Sequence, residues 1–318
     1  MVGKSIKKIL LVIPIMLVVS FILFYLLDVM PGDAATSAAS AEMTAEEIIE
    51  YRKSLGLDRP TIVRYGEWLW NALHGDFGAS LLNGRPVVTK IANCMPATIE
   101  LSILSIVLAV VLAVPLGVLA SVRRNSVLDN CISVLSMAGV AAPSFLVGIF
   151  LVLLFSNTLK WLPASGYVPF AEDPIKNLKL MIMPTIAVGI PFTATLVRQT
   201  RSAMLEVLCQ DFIQTATAKG VSKAKVIWKH ALRNALIPVV TVAGMQLGRL
   251  FAGAVICESI FVIPGLGKEL VNSIYSRDYP VTMGLIICVA LIIVVINTVI
   301  DITYGIIDPR ISRSKGGK

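Results

Sequence analysis

The sequence has little charge. Only 15% of its 318 residues are Asp, Glu, Lys or Arg, whereas an ordinary soluble domain carries about 25% charged residues. Hydrophobic residues make up 56% of the chain, so there is too little polar surface to cover a globular protein in water. This composition excludes a disordered chain, a coiled coil and a typical soluble enzyme. It indicates an integral membrane protein.

Several features that carry chemistry are also scarce. The two histidines, His74 and His230, are far apart, and the five cysteines show no CxxC spacing, so neither a zinc site nor a disulfide framework is predicted. The phosphate-binding pattern GxxxxGK[ST] is absent, which argues against an ATPase site in this chain. The net charge is +8, but nucleic-acid binding needs a soluble domain with a basic face, and the sequence contains no such domain. No nucleic-acid partner is therefore expected. We therefore predict no catalytic residue and no metal site.

Six apolar stretches are long enough to cross a bilayer, which needs about 20 residues. Because hydrocarbon offers no hydrogen-bond partners to the backbone, each stretch is predicted to be a helix. The stretches are Ile9–Leu27, Leu101–Ala120, Ile132–Phe155, Leu180–Val197, Leu236–Ile256 and Met283–Tyr304. The first is longer than the apolar region of a signal peptide and is expected to stay uncleaved. The predicted fold class is an all-α integral membrane protein with six transmembrane helices.

Lys and Arg are distributed unevenly between the two sides of the membrane. Sixteen lie in the termini and the alternate loops of one side, against five on the other when the long loop 28–100 is left out. Long loops do not follow the positive-inside rule, so both termini are predicted to be cytoplasmic. Within the long loop, Met43–Leu55 is predicted to be helical because Thr44 and Glu47 form a capping-box pattern.

The chain divides into four predicted regions. Residues 1–28 form an N-terminal transmembrane helix and residues 29–96 an extracytoplasmic loop region. Residues 97–310 form a core of five transmembrane helices that includes a cytoplasmic loop, residues 198–235. Residues 311–318 are a cytoplasmic tail.

The cytoplasmic loop has the pattern of two helices. An apolar stripe at helical spacing runs through its first half. The stripe consists of Met204, Leu205, Leu208 and Phe212, and it is extended by Ile213 and Ala216. Gly220 is a natural helix stop, and Ser222 is placed to cap the next helix. Periodicity alone leaves two interpretations open: a helix that lies on the membrane or on its own bundle, and a helix that docks in the groove of a partner.

The same loop resembles the EAA loop of ABC importer permeases, in the form used by the dipeptide/oligopeptide/nickel branch. The similar runs are QTATAKG at residues 214–220 and LRNALIP at residues 232–238. With Gly220 aligned, Ala216 and Leu232 match the pattern, whereas Gln214 and Thr215 replace its Glu and Ala.

The resemblance continues in order along nearly the whole chain. The other similar stretches are Met30–Asp33, Leu55–Pro60, Gly75–Gly78, Arg85–Val87, Pro96–Leu101, Pro115–Gly117, Glu258, Pro264–Gly267, Arg277–Pro280 and Asp308–Arg310. The chain therefore resembles the permease subunit of a type I ABC importer of the cell inner membrane.

The resemblance implies a fold, a set of partners and a coupling site. The type I permease works with a homologous second permease, two ATP-binding subunits that hold ATP and Mg, and an extracytoplasmic solute-binding protein. The EAA loop forms the coupling helix that docks on an ATPase, and this chain itself needs no cofactor. The candidate coupling residues are Leu205, Leu208, Phe212, Gln214, Thr215, Ala216 and Gly220.

Two polar residues in the fifth predicted span are candidates for the wall of a translocation pathway. Gln246 and Arg249 share one helical face with Val242 and Gly253. A charge at this depth must face water or a partner. Three roles for Arg249 stay open: contact with a carboxylate of the solute, a gate ion pair with the second permease, and snorkelling towards the membrane surface.

The resemblance implies a solute among peptides, nickel chelates, glutathione and related compounds, and the lack of a recognisable Met- or His-lined path for a metal favours peptides. Nickel or another metal chelate and glutathione are alternatives within the same family. A gradient-driven secondary transporter is the alternative from another class, but the inverted repeats with paired broken helices that characterise such transporters are not evident.

Overall fold

The computed structural model describes most of the chain. It describes residues 2–29, 35, 44–54 and 56–307, with side chains described from Pro14 to Thr298 except at Ala45. Some residues of the predicted motifs lie outside this part of the chain. They are Met30–Asp33, Met43, Leu55, Asp308–Arg310 and the tail at 311–318.

The described residues are almost entirely helical, which confirms the predicted all-α class. The helices are α1 (Val2–Val29), α2 (Ala45–Ser54), α3 (Thr61–Leu73), α4 (Val87–Val122), α5 (Val127–Ala141), α6 (Ser144–Thr158), α7 (Pro174–Leu208), α8 (Asp211–Ala218), α9 (Lys223–Ile260), α10 (Leu266–Tyr275) and α11 (Tyr279–Ile307). Helices α6 and α9 each contain a π-helical stretch, at Val152–Thr158 and Val226–Ala231. The only strand-like pairing among the described residues is one bridge between Ala79 and Pro86.

Four helices, α4, α7, α9 and α11, are individually long and apolar enough to cross a membrane. They contain the second, fourth, fifth and sixth predicted spans. The bent pair of α5 and α6 makes a fifth span if it is counted as one. Helix α1, which contains the first predicted span, has described side chains only from Pro14 to Val29 and is too short over that range to be counted. The number of spans is thus four or five by these criteria, against six predicted.

The third predicted span, Ile132–Phe155, is not one straight helix. Helix α5 ends at Ala141, Ala142 is extended, and α6 starts after Pro143 at an angle of 103° to α5. The residue before a proline is disfavoured in the helical region, and proline provides no N–H to continue the hydrogen-bond ladder. The prediction of a continuous span was therefore wrong at this proline.

The described chain forms two compact units. Of the described residues, those within 2–98 and 264–295 form the first unit, and those within 99–263 and 296–307 form the second. Helices α4 and α11 contribute residues to both.

In the first unit, α1 packs against α3 through aromatic rings and one ion pair. The rings of Phe24 and Tyr65 meet edge to face with centroids 5.6 Å apart, and Trp68 lies beside them. Arg64 donates to Asp28 at 2.6 Å and lies 5.5 Å from the centre of the Phe24 ring. Both side chains of this pair are mostly buried, so the contact orients α3 on α1.

The predicted capping box at the start of α2 is confirmed. The backbone N–H of Thr44 donates to Glu47 at 2.7 Å, and the N–H of Glu47 donates back to the Thr44 hydroxyl at 3.3 Å. The hydrogen bonds that the backbone N–H and the hydroxyl of Thr44 donate to the Glu47 carboxylate lower the pKa of Glu47, because they stabilise its charged form. The helix prediction made from two residues was therefore correct in its mechanism as well as its position.

A buried carboxylate joins the loop between α3 and α4 to the start of α11. Asp278 is 1% exposed and accepts hydrogen bonds from the Ser80 hydroxyl and from the backbone N–H of Leu81 at 3.1 Å. The Nζ of Lys90 lies 3.9 Å from Asp278 and donates to Glu269 at 3.1 Å. The resemblance motifs around residues 75–87 and 277–280 are thus parts of one hydrogen-bonded cluster.

In the second unit, α7 is the central helix and contacts α5, α6 and α9. Small residues bring the helices close together. A Cβ placed on Gly117 of α4 would lie 2.5 Å from the Cβ of Thr200 on α7, and one on Gly139 of α5 would lie 2.9 Å from the Cβ of Ala194. Such close approach is how helices in a membrane gain packing energy.

We expect Gly117→Ala to destabilise the protein by about 1–3 kcal/mol, because the added methyl overlaps both Thr200 and the backbone carbonyl of Val197. The matched control is Gly248→Ala in α9, where an added Cβ meets nothing within 4 Å. Thermal unfolding midpoints of the two purified variants in detergent measure the difference. Equal midpoints would show that the crossing of α4 and α7 is not closely packed.

Candidate functional site

The candidate coupling segment, residues 205–220, lies on two helices. Helix α7 ends at Leu208, Gln210 is extended, and α8 begins at Asp211, whose charge suits a helix N-terminus. The predicted single stripe from Met204 to Phe212 is therefore wrong, since Phe212 belongs to the second helix. Met204 is fully buried in the last turns of α7, whereas Leu205 and Leu208 are half-buried.

Helix α8 presents most of its surface outward. Only Ile213 is buried, and Ala216 is half-buried, on the side that faces the first turns of α9. Phe212 is 40% exposed, and Gln214 and Thr215 are exposed. An eight-residue helix that buries one large side chain has little to hold it on its own chain. Its exposed face is free to contact a partner.

Gly220 ends α8 in the way that the sequence predicts. Its φ is +75°, a value that glycine adopts without strain. The N–H of Val221 donates to the carbonyl of Ala216 at 3.2 Å, and the N–H of Gly220 donates to that of Thr217 at 3.0 Å. This pair of bonds is the Schellman arrangement. A Cβ on Gly220 would meet nothing within 4 Å, so the requirement for glycine comes from the backbone angle and not from space.

The start of α9 carries an exposed basic surface. Ser222 stands at the N-cap position, as predicted, but its side chain makes no capping hydrogen bond. Lys219, Lys223, Lys225 and Lys229 are all exposed. They follow α8 directly in the chain, on the side of the membrane predicted to be cytoplasmic.

An ion pair between the half-buried Arg201, near the end of α7, and a buried carboxylate was not predicted. Arg201 donates from Nε to one oxygen of Asp129 at 2.6 Å and from Nη2 to the other oxygen at 2.8 Å. Asp129 lies on α5 and is 1% exposed. The two residues are 72 positions apart, and the only signal in the sequence was that each lies within or beside an apolar stretch, where charges are expected to pair.

The candidate pathway residues lie on α9 as predicted, but their stripe is not uniform. Arg249 is exposed and Gln246 is half-buried, and neither makes a hydrogen bond or ion pair with the described part of the chain. By contrast, a Cβ on Gly253 would lie 3.4 Å from the Ser144 hydroxyl of α6. Gly253 therefore serves helix packing, and only the Gln246–Arg249 part of the stripe is open.

The first unit contains a cavity of about 330 Å³. Its charged walls are already paired: Arg59 forms an ion pair with Glu67, and Arg64 forms one with Asp28. The hydrogen bonds from Arg59 lower the pKa of Glu67. With its charges neutralised in pairs, this cavity offers no net charge to attract an ionic solute. Across the described residues, no group of three or more His, Cys, Asp and Glu side chains is placed to hold a metal ion.

Comparison with known families identifies the class of protein. Residues 113–313 match the family described as the binding-protein-dependent transport system inner membrane component. Residues 1–102 match the N-terminal family of such membrane components. The chain belongs to the binding-protein-dependent transport system inner membrane component family, and it is a permease subunit of an ABC importer. The resemblance seen in the sequence is confirmed, and a gradient-driven transporter is not favoured.

Relatives match over nearly their full length. A protein of Brucella abortus (strain 2308), provisionally named as a peptide transport system permease, is 42% identical over 311 residues, which cover 98% of this chain and 99% of the relative. The glutathione transport system permease protein GsiC of Shigella flexneri is 38% identical, with the same coverage. The dipeptide transport system permease protein DppB of Escherichia coli (strain K12) is 37% identical, with 96% of this chain and 97% of the relative covered.

A solved structure supports the fold. The MetNI methionine ABC transporter, in an inward-facing conformation, contains a chain that matches with a TM-score of 0.54 and 17% identity. The match covers 69% of this chain and 96% of that one. Together with the apolar helices, it confirms the predicted type I ABC importer permease fold in a multi-pass membrane protein.

Replacing Gly220 is expected to open the end of α8. Gly220→Val places a β-branched residue at positive φ at a cost of about 1–2 kcal/mol, which corresponds to a roughly 5- to 30-fold larger open population. Tryptic cleavage after Lys219 and Lys223, followed by mass spectrometry, should accelerate by that factor. Gly220→Asn is the matched control, because asparagine tolerates positive φ. Equal cleavage rates in the two variants would contradict the role of the backbone angle.

Proposed function

We propose that this chain forms one half of the translocation pathway of an ATP-driven importer for peptides, delivered by an extracytoplasmic binding protein. The observation that carries the proposal is α8. It is a short helix that turns Phe212, Gln214 and Thr215 outward and ends at a glycine in the left-handed conformation. An exposed aromatic residue on a helix held by one buried side chain fits docking in a groove of another protein.

The partners of the complex follow from this proposal. A homologous second permease completes the pathway, and two ATP-binding subunits hold ATP and Mg and dock on α8 and its counterpart. This chain supplies no cofactor site and no catalytic residue. Both termini face the cytoplasm of a cell with an inner membrane, residues 29–96 form an extracytoplasmic region, and residues 97–310 form the transport core.

Peptides are the solute class that fits best. The relatives described above are named for peptide, dipeptide and glutathione transport, and glutathione is itself a small peptide with carboxylate groups. A metal chelate, such as one of nickel, is the alternative class. The affinity of the purified binding protein for a panel of peptides, glutathione and metal chelates separates these classes. Tight binding of a chelate and none of peptides would reject the peptide proposal.

Docking on α8 is expected to depend on Phe212. Phe212→Ser removes an exposed aromatic anchor and should weaken binding of the ATPase subunit by at least about 2 kcal/mol, or roughly 30-fold. The matched control is Ile62→Ser, which removes a 74% exposed side chain on α3, on the side predicted to be extracytoplasmic. The measurement is the affinity of the permease pair in nanodiscs for the ATPase subunit.

Two results would contradict docking at α8. One is an unchanged affinity in Phe212→Ser, and the other is an equal loss in Ile62→Ser. The permease pair without ATPase subunits serves as the baseline and is expected to hydrolyse no ATP.

Arg249 is the residue of this chain best placed to meet an acidic group of the solute. Its guanidinium is exposed and makes no ion pair within the described part of the chain. A guanidinium near mid-bilayer costs about 2.5–3.5 kcal/mol on insertion scales, so it needs water or an acidic partner. Two acidic partners are available in the proposed complex. They are the C-terminal carboxylate of a peptide and a carboxylate of the second permease.

Arg249→Gln is expected to slow transport of peptides with a free C-terminus more than that of C-terminally amidated peptides, because glutamine retains hydrogen bonding and loses the charge. Initial uptake rates into proteoliposomes measure the effect. The control is Met245→Gln, at a 64% exposed position on the same helix. It introduces the same polar amide but removes no charge. An equal effect of Arg249→Gln on both peptides would assign Arg249 to a gate ion pair instead.

A further inference from the structure

The ion pair between Asp129 and Arg201 lies where the coupling segment joins the bundle. Arg201 is seven residues before the end of α7, which is about 10 Å along the helix axis. Its two N–H groups meet both oxygens of Asp129 in parallel, at 2.6 and 2.8 Å. Such a bidentate pair fixes direction as well as distance.

Asp129 also organises the chain around it. One of its oxygens accepts a hydrogen bond from the backbone N–H of Asn125 at 2.9 Å, and the other accepts one from the Ser133 hydroxyl at 3.5 Å. Asn125 has a φ of +63°, so its backbone is held in a turn that asparagine tolerates. Ser126 caps α5 by accepting from the N–H of Asp129. One carboxylate thus joins the turn before α5, the first turn of α5 and α7.

The residue next to Arg201 strengthens the same connection. Thr200 is fully buried, and Gly117 of α4 approaches it so closely that a Cβ there would lie 2.5 Å from the Thr200 Cβ. Beyond Arg201, Ala203 and Met204 remain buried. The segment of α7 around Thr200 and Arg201 therefore cannot move away from α4 and α5 without breaking the Asp129–Arg201 ion pair and a close helix crossing.

We infer that Asp129 and Arg201 are positioning residues for coupling: their ion pair makes the base of α5 and the end of α7 one rigid body, so that a displacement of α8 moves both helices together. The inference rests on the proposed docking of the ATPase at α8. Fold stability alone does not explain the buried carboxylate of Asp129 and its half-buried partner Arg201, since apolar residues of similar volume stabilise a core equally well or better. A directional pair does explain a fixed angle between two helices.

Asp129→Asn tests the inference in the complete transporter. It keeps the shape of the side chain and removes the charge that holds both N–H groups of Arg201. We expect normal ATP hydrolysis and at least fivefold less solute transported per ATP, measured in proteoliposomes at equal amounts of assembled complex. The matched control is Asp28→Asn, which breaks the ion pair with Arg64 in the first unit. That control should keep the transport-to-ATP ratio within twofold of the unsubstituted protein.

Two results of this experiment would overturn the inference. One is an unchanged ratio in Asp129→Asn. The other is an equal fall in the ratio of both variants, which would reflect a general loss of stability.

A second measurement covers the case in which Asp129→Asn does not assemble. Two native cysteines flank the ion pair and are exposed: Cys131 on α5 and Cys209 after α7. After the other three cysteines are replaced by serine, spin labels on these two report the distance between the helices. The inference predicts the same mean distance in nucleotide-free and ATP-trapped complexes, and a change between the two states would overturn it.

Failure of the inference and failure of the proposed function give different results. If no ATPase subunit binds the unsubstituted protein, the proposed function is wrong and the inference falls with it. If the ATPase binds and drives transport while the distance between Cys131 and Cys209 changes, the proposed function stands and only the rigid connection is wrong.

Discussion

Helices inside a bilayer gain little from the hydrophobic effect, so they associate through close packing and polar pairs. In this protein both kinds of contact are found on α7. Gly117 and Gly139 bring α4 and α5 onto it, and Arg201 pairs with the buried Asp129. Because only Cys209 and Gln210 separate α7 from α8, the position of the exposed coupling segment depends on these contacts. Widening one of these crossings would change where α8 stands relative to the bundle.

The two ends of α8 are built differently, and this difference fits the proposed function. At its start, the extended residue Gln210 separates it from the rigid end of α7. At its end, Gly220 reverses the chain through backbone hydrogen bonds that need no side chain. Within α8, Ile213 is the only buried residue, so the helix depends on contact with a partner for further stabilisation. A displacement of this short helix by a partner moves the bundle only because α7 and α9, on either side of it, are packed in the bundle.

Features set by local chemistry were predictable from the sequence, and features set by distant contacts were not. The Thr44–Glu47 capping box and the helix stop at Gly220 each follow from a few neighbouring residues and were confirmed. The bend at Pro143 was missed, because other prolines, such as Pro184, Pro191 and Pro238, lie inside continuous helices, and no local pattern separates Pro143 from them. The pair of Asp129 with Arg201 was missed because no pattern joins residues so far apart in sequence.

In the proposed function, α8 is the contact through which ATP hydrolysis by the partner subunits drives this chain. Photo-crosslinking from position 212 tests it most directly. A benzophenone amino acid in place of Phe212, activated in the assembled transporter, should attach to the ATPase subunit, and the same amino acid at Ile62 should not. Mass spectrometry of the products identifies the attached chain. Crosslinks from position 212 to lipid or to this chain alone, in a complex that still transports, would contradict the account.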